Sequence, residues 1–487
     1  MTRQLYDTYA KKRLSKGKIV ATEGALFRAE GLSGVMLNEL VILETGAQGF
    51  VFGISKDGCD IVLLTGETPS PGMQVIRTGE TVTFPVSMEL LGHIITPLSL
   101  DYTQQEIHQG EKVPVEQRAL GIAHRAKIAD ECMTGSLLVD LLLPLGKGQR
   151  ELLLGDRKTG KTHFAIDTLI TQARQGTLCI YVAIGKPLHS VKELALKLEK
   201  AGVSEKTVII ATSPEDPSGL IHLAPFAGMR LAEYFRDQGH DSLIILDDLS
   251  IHARSYRQVS LLARRFPGRN SYPGDIFYLH ARLLERAGNF KQSDTKNVSI
   301  TCLPIVETQL SDLTGYIQTN IMSMTDGHLY FDEERFLEGA RPAIHPFLSV
   351  TRVGRQTKSH LWRQTISDLT SFLTKAERLH QVSHFGQELS EDAKTTLEKA
   401  EKLNLLFSIP EFGHTPPSFQ FCILALIWFG YWLHSYNDVV LADIEKLGSL
   451  TKTKEHAQRL EELLTLDSLT TAGPKAKELA DQLFAQQ

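Results

Sequence analysis

The chain has 487 residues, of which 42% are hydrophobic and 22% charged, and its formal net charge at pH 7 is −5. That length and balance fit an ordinary globular protein of two or three domains and exclude a fibrous or disordered chain. The negative balance argues against a general nucleic-acid coat, which needs a basic surface.

The first residues, MTRQLYDTYAKKRLSKGK, are polar. They contain no apolar core of a secretory signal, and with Asp7 and few serines they make a poor organelle transit peptide. From about residue 18 to 95 the short segments GKIVAT, VMLNELVIL, GFVFGI, CDIVLLTG and TVTFPV are separated by polar or Gly-rich pieces such as Lys56-Asp57-Gly58. Evenly spaced short strands without helical patterning predict a small β-barrel. Residues 97–147 are mixed and irregular. From Glu151 strands and helices alternate. ELLL enters a glycine loop, a helix over Thr162–Arg174 stops at Gly176, and LCIYVAI (178–184), TVIIATS (207–213) and SLIIL (242–246) read as strands. A capping box of Ser190 with Glu193 opens a helix that ends near Gly202, and a further helix is expected around 225–238. Continuous apolar strands alternating with helices imply a parallel sheet buried on both faces.

After about residue 357 the strands cease, and LWRQTISDLTSFLTKAERLHQ and EDAKTTLEKAEKLNLLF carry helical periodicity. The longest apolar stretch is Phe419–Leu433. At about 15 residues it falls short of the roughly 20 needed to span a bilayer. It predicts a buried helix in a soluble protein, with contact to a membrane as the alternative. Cys59, Cys132, Cys179, Cys302 and Cys422 form no Cys-x-x-Cys pair and read as reduced, intracellular, non-metal thiols.

Gly155-Asp156-Arg157-Lys158-Thr159-Gly160-Lys161-Thr162 matches the phosphate-loop pattern in full, between an apolar strand and a helix. In such a loop successive backbone N–H groups and the positive end of the helix dipole receive phosphate. Lys161 would neutralise the β- and γ-phosphates of ATP or ADP, and the Thr162 hydroxyl would ligate Mg²⁺. Asp247 ends the buried run LIILD and could hold Mg²⁺ through water; of the pair Asp247-Asp248 it is the one assigned this role. The stretch after LCIYVAI reads Gly185-Lys186-Pro187-Leu188-His189-Ser190. No carboxylate stands there to orient an attacking water, and Lys186 cannot accept its proton. Binding without efficient turnover is the expectation.

The strings GQRELLLGDRKTGKT, IYVAIGK, EYFRDQGHDSLIILDDLS, YRQVSLLARRFPGRNSYPGDIFYLHARLLERAG and RPAIHPFLSVTRVG closely resemble the alpha subunits of F-type ATP synthases, over about Gly17 to residue 407. The resemblance implies a multidomain fold: a short N-terminal segment and β-barrel (1–95), a central α/β phosphate-loop domain of RecA-like type (96–356), and a C-terminal α-helical bundle (357–487). It implies an alternating ring of three alpha and three beta subunits, with a central-stalk gamma subunit and a peripheral-stalk delta subunit. It also implies no nucleic-acid partner, and membrane contact only indirectly, at the cytoplasmic face of a bacterial inner membrane, through a proton- or sodium-conducting sector. In the family, alpha keeps a Mg-ATP that is not hydrolysed, carries Gln at the position of Lys186, and donates an arginine finger to its neighbour. The string Ser349-Val350-Thr351-Arg352-Val353-Gly354 assigns that finger to Arg352. Ser323 and Ser349 should lie at the shared interface, and Phe336, Arg341 and Pro342 near the adenine.

The chain departs from the family at several points. Lys158 replaces a Gln in the loop, His163 replaces a small residue after it, and the Gln-x-Gln pair expected near 407–412 is absent from FSIPEF. The linker after the barrel reads LSLDYTQQEIHQGEK, and the N-terminal extension is short. The run Glu388-Leu389-Ser390-Glu391-Asp392 reads as a solvated acidic turn, with a rotor-facing acidic loop as the alternative. Two other readings stay open: a self-sufficient hexameric motor of the Rho-helicase or export-ATPase kind, and a purely structural ring subunit with an empty site.

Overall fold

The computed structural model describes residues 2–11, 14–98, 110–293, 295–383, 390–409, 412–450 and 454–485. Most of the linker after the barrel, Glu388 and Leu389 of the acidic run, and Pro410 and Glu411 lie outside the described residues. In chain order the elements are α1 (Thr2–Ala10), β1 (Lys16–Glu23), β2 (Leu26–Glu30), β3 (Glu39–Leu43), β4 (Gln48–Ser55), β5 (Gly58–Thr65), β6 (Gln74–Thr81), β7 (Thr83–Val86), β8 (Ile94–Ile95), β9 (Glu111–Pro114), α2 (Leu137–Leu142), β10 (Glu151–Gly155), α3 (Lys161–Arg174), β11 (Leu178–Ala183), α4 (Leu188–Lys200), β12 (Thr207–Ala211) and α5 (Ser218–Asp237). There follow β13 (Ser242–Asp247), α6 (Leu249–Leu262), α7 (Ile276–Leu284), β14 (Gly288–Lys291), β15 (Asn297–Glu307), α8 (Tyr316–Met324), β16 (Gly327–Phe331), α9 (Glu333–Leu337), β17 (Val350–Thr351), α10 (His360–Ser383), α11 (Glu391–Phe407), α12 (Pro417–Phe429), α13 (Asn437–Leu450), α14 (Lys454–Leu463) and α15 (Leu469–Ala485). Two compact units result: 1–127, 147–157 and 172–328 form one, and 128–146, 158–171 and 329–487 the other.

In the first unit β1-β2-β5-β4-β3-β6 close into an antiparallel barrel around Ile19, Phe27, Val41, Val51, Ile61, Leu63 and Val75. Closure leaves no strand edge to protect. Two of these strands, β2 and β6, escape the apolar pattern because they carry charges that the barrel pairs across strands. Arg28 lies opposite Asp60 at 3.1 Å. Arg77 reaches the fully buried Glu39 at 2.9 Å, and the Gly79 N–H donates to the same carboxylate. TVTFPV, by contrast, is not a barrel strand. Its β7 pairs with β9 in a separate two-stranded sheet.

Beside the barrel stands a parallel sheet in the order β10-β15-β13-β11-β12-β8, with β14 antiparallel on β15. Every residue of β10, β11, β12 and β13 is buried, as a sheet covered on both faces requires. Helix α5 lies against both structures. A Cβ on Gly228 would come within 2.4 Å of Val182, and one on Gly219 within 2.3 Å of the Leu63 carbonyl oxygen in the barrel. Two helix starts differ from expectation. Ser190 does not cap α4; Pro187, its φ fixed near the required value and lacking an N–H to satisfy, sits at the cap and the helix begins at Leu188. Helix α5 begins at Ser218 and runs through Pro225, which therefore lies inside it rather than at its start.

Three histidines fill the space between α5, α6 and α7. His222 stacks on the barrel's Phe50 at 5.8 Å and on His252 at 5.3 Å. His252 donates through Nε2 to the His222 carbonyl at 3.1 Å, so its Nδ1 accepts from His280 Nε2, also at 3.1 Å. Burial pushes His252 down to about 4. Burial, reinforced by the neighbouring imidazoles, lowers His222 and His280 well below the ordinary value. Each is neutral in the folded state yet takes a proton near 6.5 when unfolded, so stability is lost as pH falls from about 6.5 toward 4 and below. Asp248, raised by burial to about 6, and Asp140, raised by burial to about 7, act in the opposite sense, but for two protons against three. Stability is therefore expected to fall between pH 7 and 5, each histidine contributing on the order of 1 kcal/mol per pH unit and the two carboxylates offsetting part of it. Thermal melts across that range, with His280→Gln expected to flatten the profile, check this.

In the second unit the helices α10 to α15 dominate. The apolar run expected to be buried is α12, in which Ser418 to Ile427 are buried. Being apolar on all sides, it packs against α11, α14 and α15. No helix among the described residues is long and apolar enough to cross a membrane. Ser390 caps α11 by accepting from the Ala393 N–H, which places Glu391 and Asp392 in the first turn, where the helix dipole favours them.

Candidate functional site

The phosphate loop joins β10 to α3, the strand–loop–helix setting its sequence implied. Gly155 closes the strand. The Asp156 carboxylate, buried, accepts from the Thr308 hydroxyl and from the Ser311 N–H at 2.8 Å, and Arg157 pairs with Glu307 at 2.9 Å. Those contacts belong to the first unit. From Lys158 to Thr162 the loop belongs to the second. Lys158 takes a left-handed φ of 64° and Gly160 one of 97°; the lysine is the costlier of the two because its Cβ crowds the backbone there. Thr159 and Lys161 are buried, and α3 begins at Lys161. His163, exposed, and Asp167, half-buried, lie 3.4 Å apart along that helix.

Asp247 stands at the C-terminal end of β13, as its strand-end position implied. The parallel register sets it beside Ala183 of β11. That register brings Lys186, three residues further along, to the same edge. Its ammonium lies 2.8 Å from Asp247 Oδ1 and 4.0 Å from Asp248 Oδ2. The Tyr181 hydroxyl donates to Asp247 Oδ2 at 2.5 Å. Burial opposes the Lys186 charge, but Asp247 and Asp248 outweigh it and hold the ammonium above the ordinary lysine value. Burial, then the Asp247 charge, drives Tyr181 well up. Asp248 serves a different purpose, capping α6 by accepting from the Ile251 N–H at 2.7 Å. The Lys186–Asp247 pair was not readable from sequence, where the two are far apart.

In the second unit Phe336, Arg341 and Pro342 do come together. The Arg341 guanidinium stacks over the Phe336 ring at 3.7 Å and donates to the Phe336 carbonyl at 2.9 Å, and Pro342 follows through a cis peptide bond. Ser349 is buried: its hydroxyl accepts from the Tyr330 N–H at 2.9 Å and donates to the His345 carbonyl at 2.7 Å. Thr351 donates to the Pro144 carbonyl at 2.9 Å, and Gly354 packs so closely on that carbonyl that a Cβ would lie 1.5 Å from its oxygen. Between these anchors Arg352 is exposed and forms no ion pair among the described residues. Ser323 is exposed on α8 in the first unit and donates to the Asn320 carbonyl at 2.6 Å. Phe407, Ser408 and Ile409 end α11 and the turn after it, with Phe412 beyond the undescribed pair.

Residues 135–351 match the model of the ATP synthase alpha/beta family, nucleotide-binding domain. The ATP synthase subunit alpha of Petrotoga mobilis is 40% identical over 403 residues, covering 82% of this chain and 80% of the relative. The chain belongs to the ATP synthase alpha-subunit family. Its likeness to other alpha subunits has the same extent: that of Mycoplasmoides gallisepticum is 42% identical over 409 residues, or 83% of this chain and 79% of the relative. That of Haemophilus influenzae is 36% identical over 473 residues, 94% and 91% of the two chains. The segment matching the family's nucleotide-binding domain contains the phosphate loop and Asp247, and it ends one residue before Arg352.

Proposed function

We propose that this chain is a nucleotide-holding, non-hydrolysing alpha subunit of a rotary F-type ATP synthase, which lends Arg352 to the catalytic site of a neighbouring beta subunit in an alternating ring. ATP or ADP is held by the loop Gly155–Thr162, with Lys161 on the β- and γ-phosphates, Thr162 at the helix start, and Phe336, Arg341 and Pro342 toward the adenine. The ring turns about a gamma-type central stalk, is held by a delta-type peripheral stalk, and sits at the cytoplasmic face of a bacterial inner membrane, coupled to a proton- or sodium-conducting sector.

One observation carries the non-hydrolysing reading. At the edge of the sheet, after β11, stands Lys186, and its ammonium is fixed on Asp247 at 2.8 Å. A group that aims water at a terminal phosphate must accept a hydrogen bond from it, and an ammonium has no acceptor. Phosphoryl transfer on this chain alone then lacks a positioned nucleophile, although the electrostatic half of the machinery is present in Lys161.

The expected result for the full chain by itself is nucleotide binding with negligible phosphate release. Adding a catalytic beta-type subunit should bring turnover with it. Robust hydrolysis by the chain alone, measured as released phosphate, would instead indicate a self-sufficient hexameric motor.

A further inference from the structure

Asp247 is the carboxylate that a phosphate-loop protein would offer to Mg²⁺, and its surroundings here do not fit that role. Water-mediated Mg²⁺ binding needs carboxylate oxygens open to the ion's hydration shell. Asp247 Oδ1 is ion-paired with the Lys186 ammonium at 2.8 Å, outside hydrogen-bond alignment, and Oδ2 accepts from the Tyr181 hydroxyl at 2.5 Å. The side chain is 1% exposed, so the pair sits where solvent screens it little. Asp248, next in the chain, is spent on the α6 cap and lies 4.0 Å from the same ammonium. Glu307, at the end of β15, is paired with Arg157 at 2.9 Å and faces Arg254 at 4.0 Å. Asp247, Asp248 and Glu307 thus each have a cationic side chain within 4.0 Å, while Asp156, after β10, is held instead by the Thr308 hydroxyl and the Ser311 N–H.

We propose that Lys186 takes the place of the divalent cation, so that the nucleotide site of this chain takes free ATP or ADP, uncomplexed by Mg²⁺. The proposal rests on the nucleotide-binding reading above. The ammonium has three donors on a flexible four-carbon stem. One can stay on Asp247 while the others are left to meet phosphate oxygen. A Mg²⁺ ion entering the same edge would meet this fixed positive charge and would have to displace it from Asp247, so the metal complex loses the advantage that it has at an ordinary phosphate loop. The substitution that removes the water-orienting group therefore also alters which form of nucleotide is bound. A site of this kind stays filled irrespective of free Mg²⁺.

The test is equilibrium binding of ATP and of ADP to the full-length chain, by calorimetry, once with EDTA and once with excess Mg²⁺, together with Lys186→Gln. For the unaltered chain, affinity with EDTA should equal or exceed that with Mg²⁺. Lys186→Gln should lose about tenfold or more in EDTA, the usual weight of a charged hydrogen bond, and should regain affinity when Mg²⁺ is added. Binding of the unaltered chain that is much tighter with Mg²⁺ than with EDTA would overturn the proposal while leaving the nucleotide-binding reading intact. The absence of binding under both conditions would overturn that reading and the proposal together. Since the comparison within the unaltered chain is decisive alone, a variant that fails to fold does not protect the idea.

Discussion

Arg352→Ala, assembled with its catalytic partner, is expected to lower turnover by on the order of a thousandfold or more, the weight carried by arginine fingers in phosphoryl transfer. The expectation stands on how the residue is presented. Arg352 follows the two-residue strand β17, which is fastened behind it by the Ser349 hydroxyl on the Tyr330 N–H and His345 carbonyl and by Thr351 on the Pro144 carbonyl. Ahead of it Gly354 closes onto the same Pro144 carbonyl. The backbone is thus fixed on both sides while the side chain stays exposed, without an ion pair among the described residues. A structural arginine would show the reverse, with its guanidinium spent on a neighbouring carboxylate. Holding a bare guanidinium ready gives this chain no stability of its own, and it is suited to a phosphate supplied from elsewhere. Arg352→Lys should restore little, because an ammonium cannot reproduce the planar fork that grips two oxygens. Folding and nucleotide binding by the chain alone should be untouched in both variants. Unchanged turnover of an assembled Arg352→Ala ring would remove the assignment.

What the sequence made legible follows from how local each signal is. The phosphate loop, the strand-end Asp247 and the apolar α12 are each written in a few consecutive residues, and all three stand in the expected elements. Barrel strands β2 and β6 were not legible, since Arg28 and Arg77 break the apolar pattern and find their partners, Asp60 and Glu39, on other strands. The same holds for Lys186. Read along the chain, it is a missing carboxylate; only the parallel register of β11 with β13 turns it into the partner of Asp247. The histidines of α5, α6 and α7 are likewise scattered singly and become one hydrogen-bonded group by helix packing. Ser349 illustrates a different gap. Its place in the family string suggested an interface role; its hydrogen bonds to the Tyr330 N–H and the His345 carbonyl came only with the fold.

Arg286→Met is expected to destabilise the first unit by about 3–5 kcal/mol, the cost of breaking a buried ion pair from one side. Arg286 is the largest fully buried side chain among the described residues, at 1% exposed. Its guanidinium meets Glu233 of α5 through two bonds, Nε to Oε1 at 2.9 Å and Nη2 to Oε2 at 2.7 Å, and gives a third to the Val115 carbonyl at 3.2 Å. Truncation would leave the Glu233 carboxylate, 2% exposed, with the Arg230 contact at 3.0 Å, and would strip the Val115 carbonyl of this donor. Neither group can turn to water. Replacing both partners, Arg286→Met with Glu233→Leu, should recover most of the loss, because the second substitution removes the stranded charge rather than adding to the damage. Denaturant unfolding followed by far-UV circular dichroism gives all three values. A single substitution costing less than about 1 kcal/mol would mean that the pair is weak like an exposed one. Losses that simply add in the double variant would mean that Arg286 acts through packing volume and not through its charge.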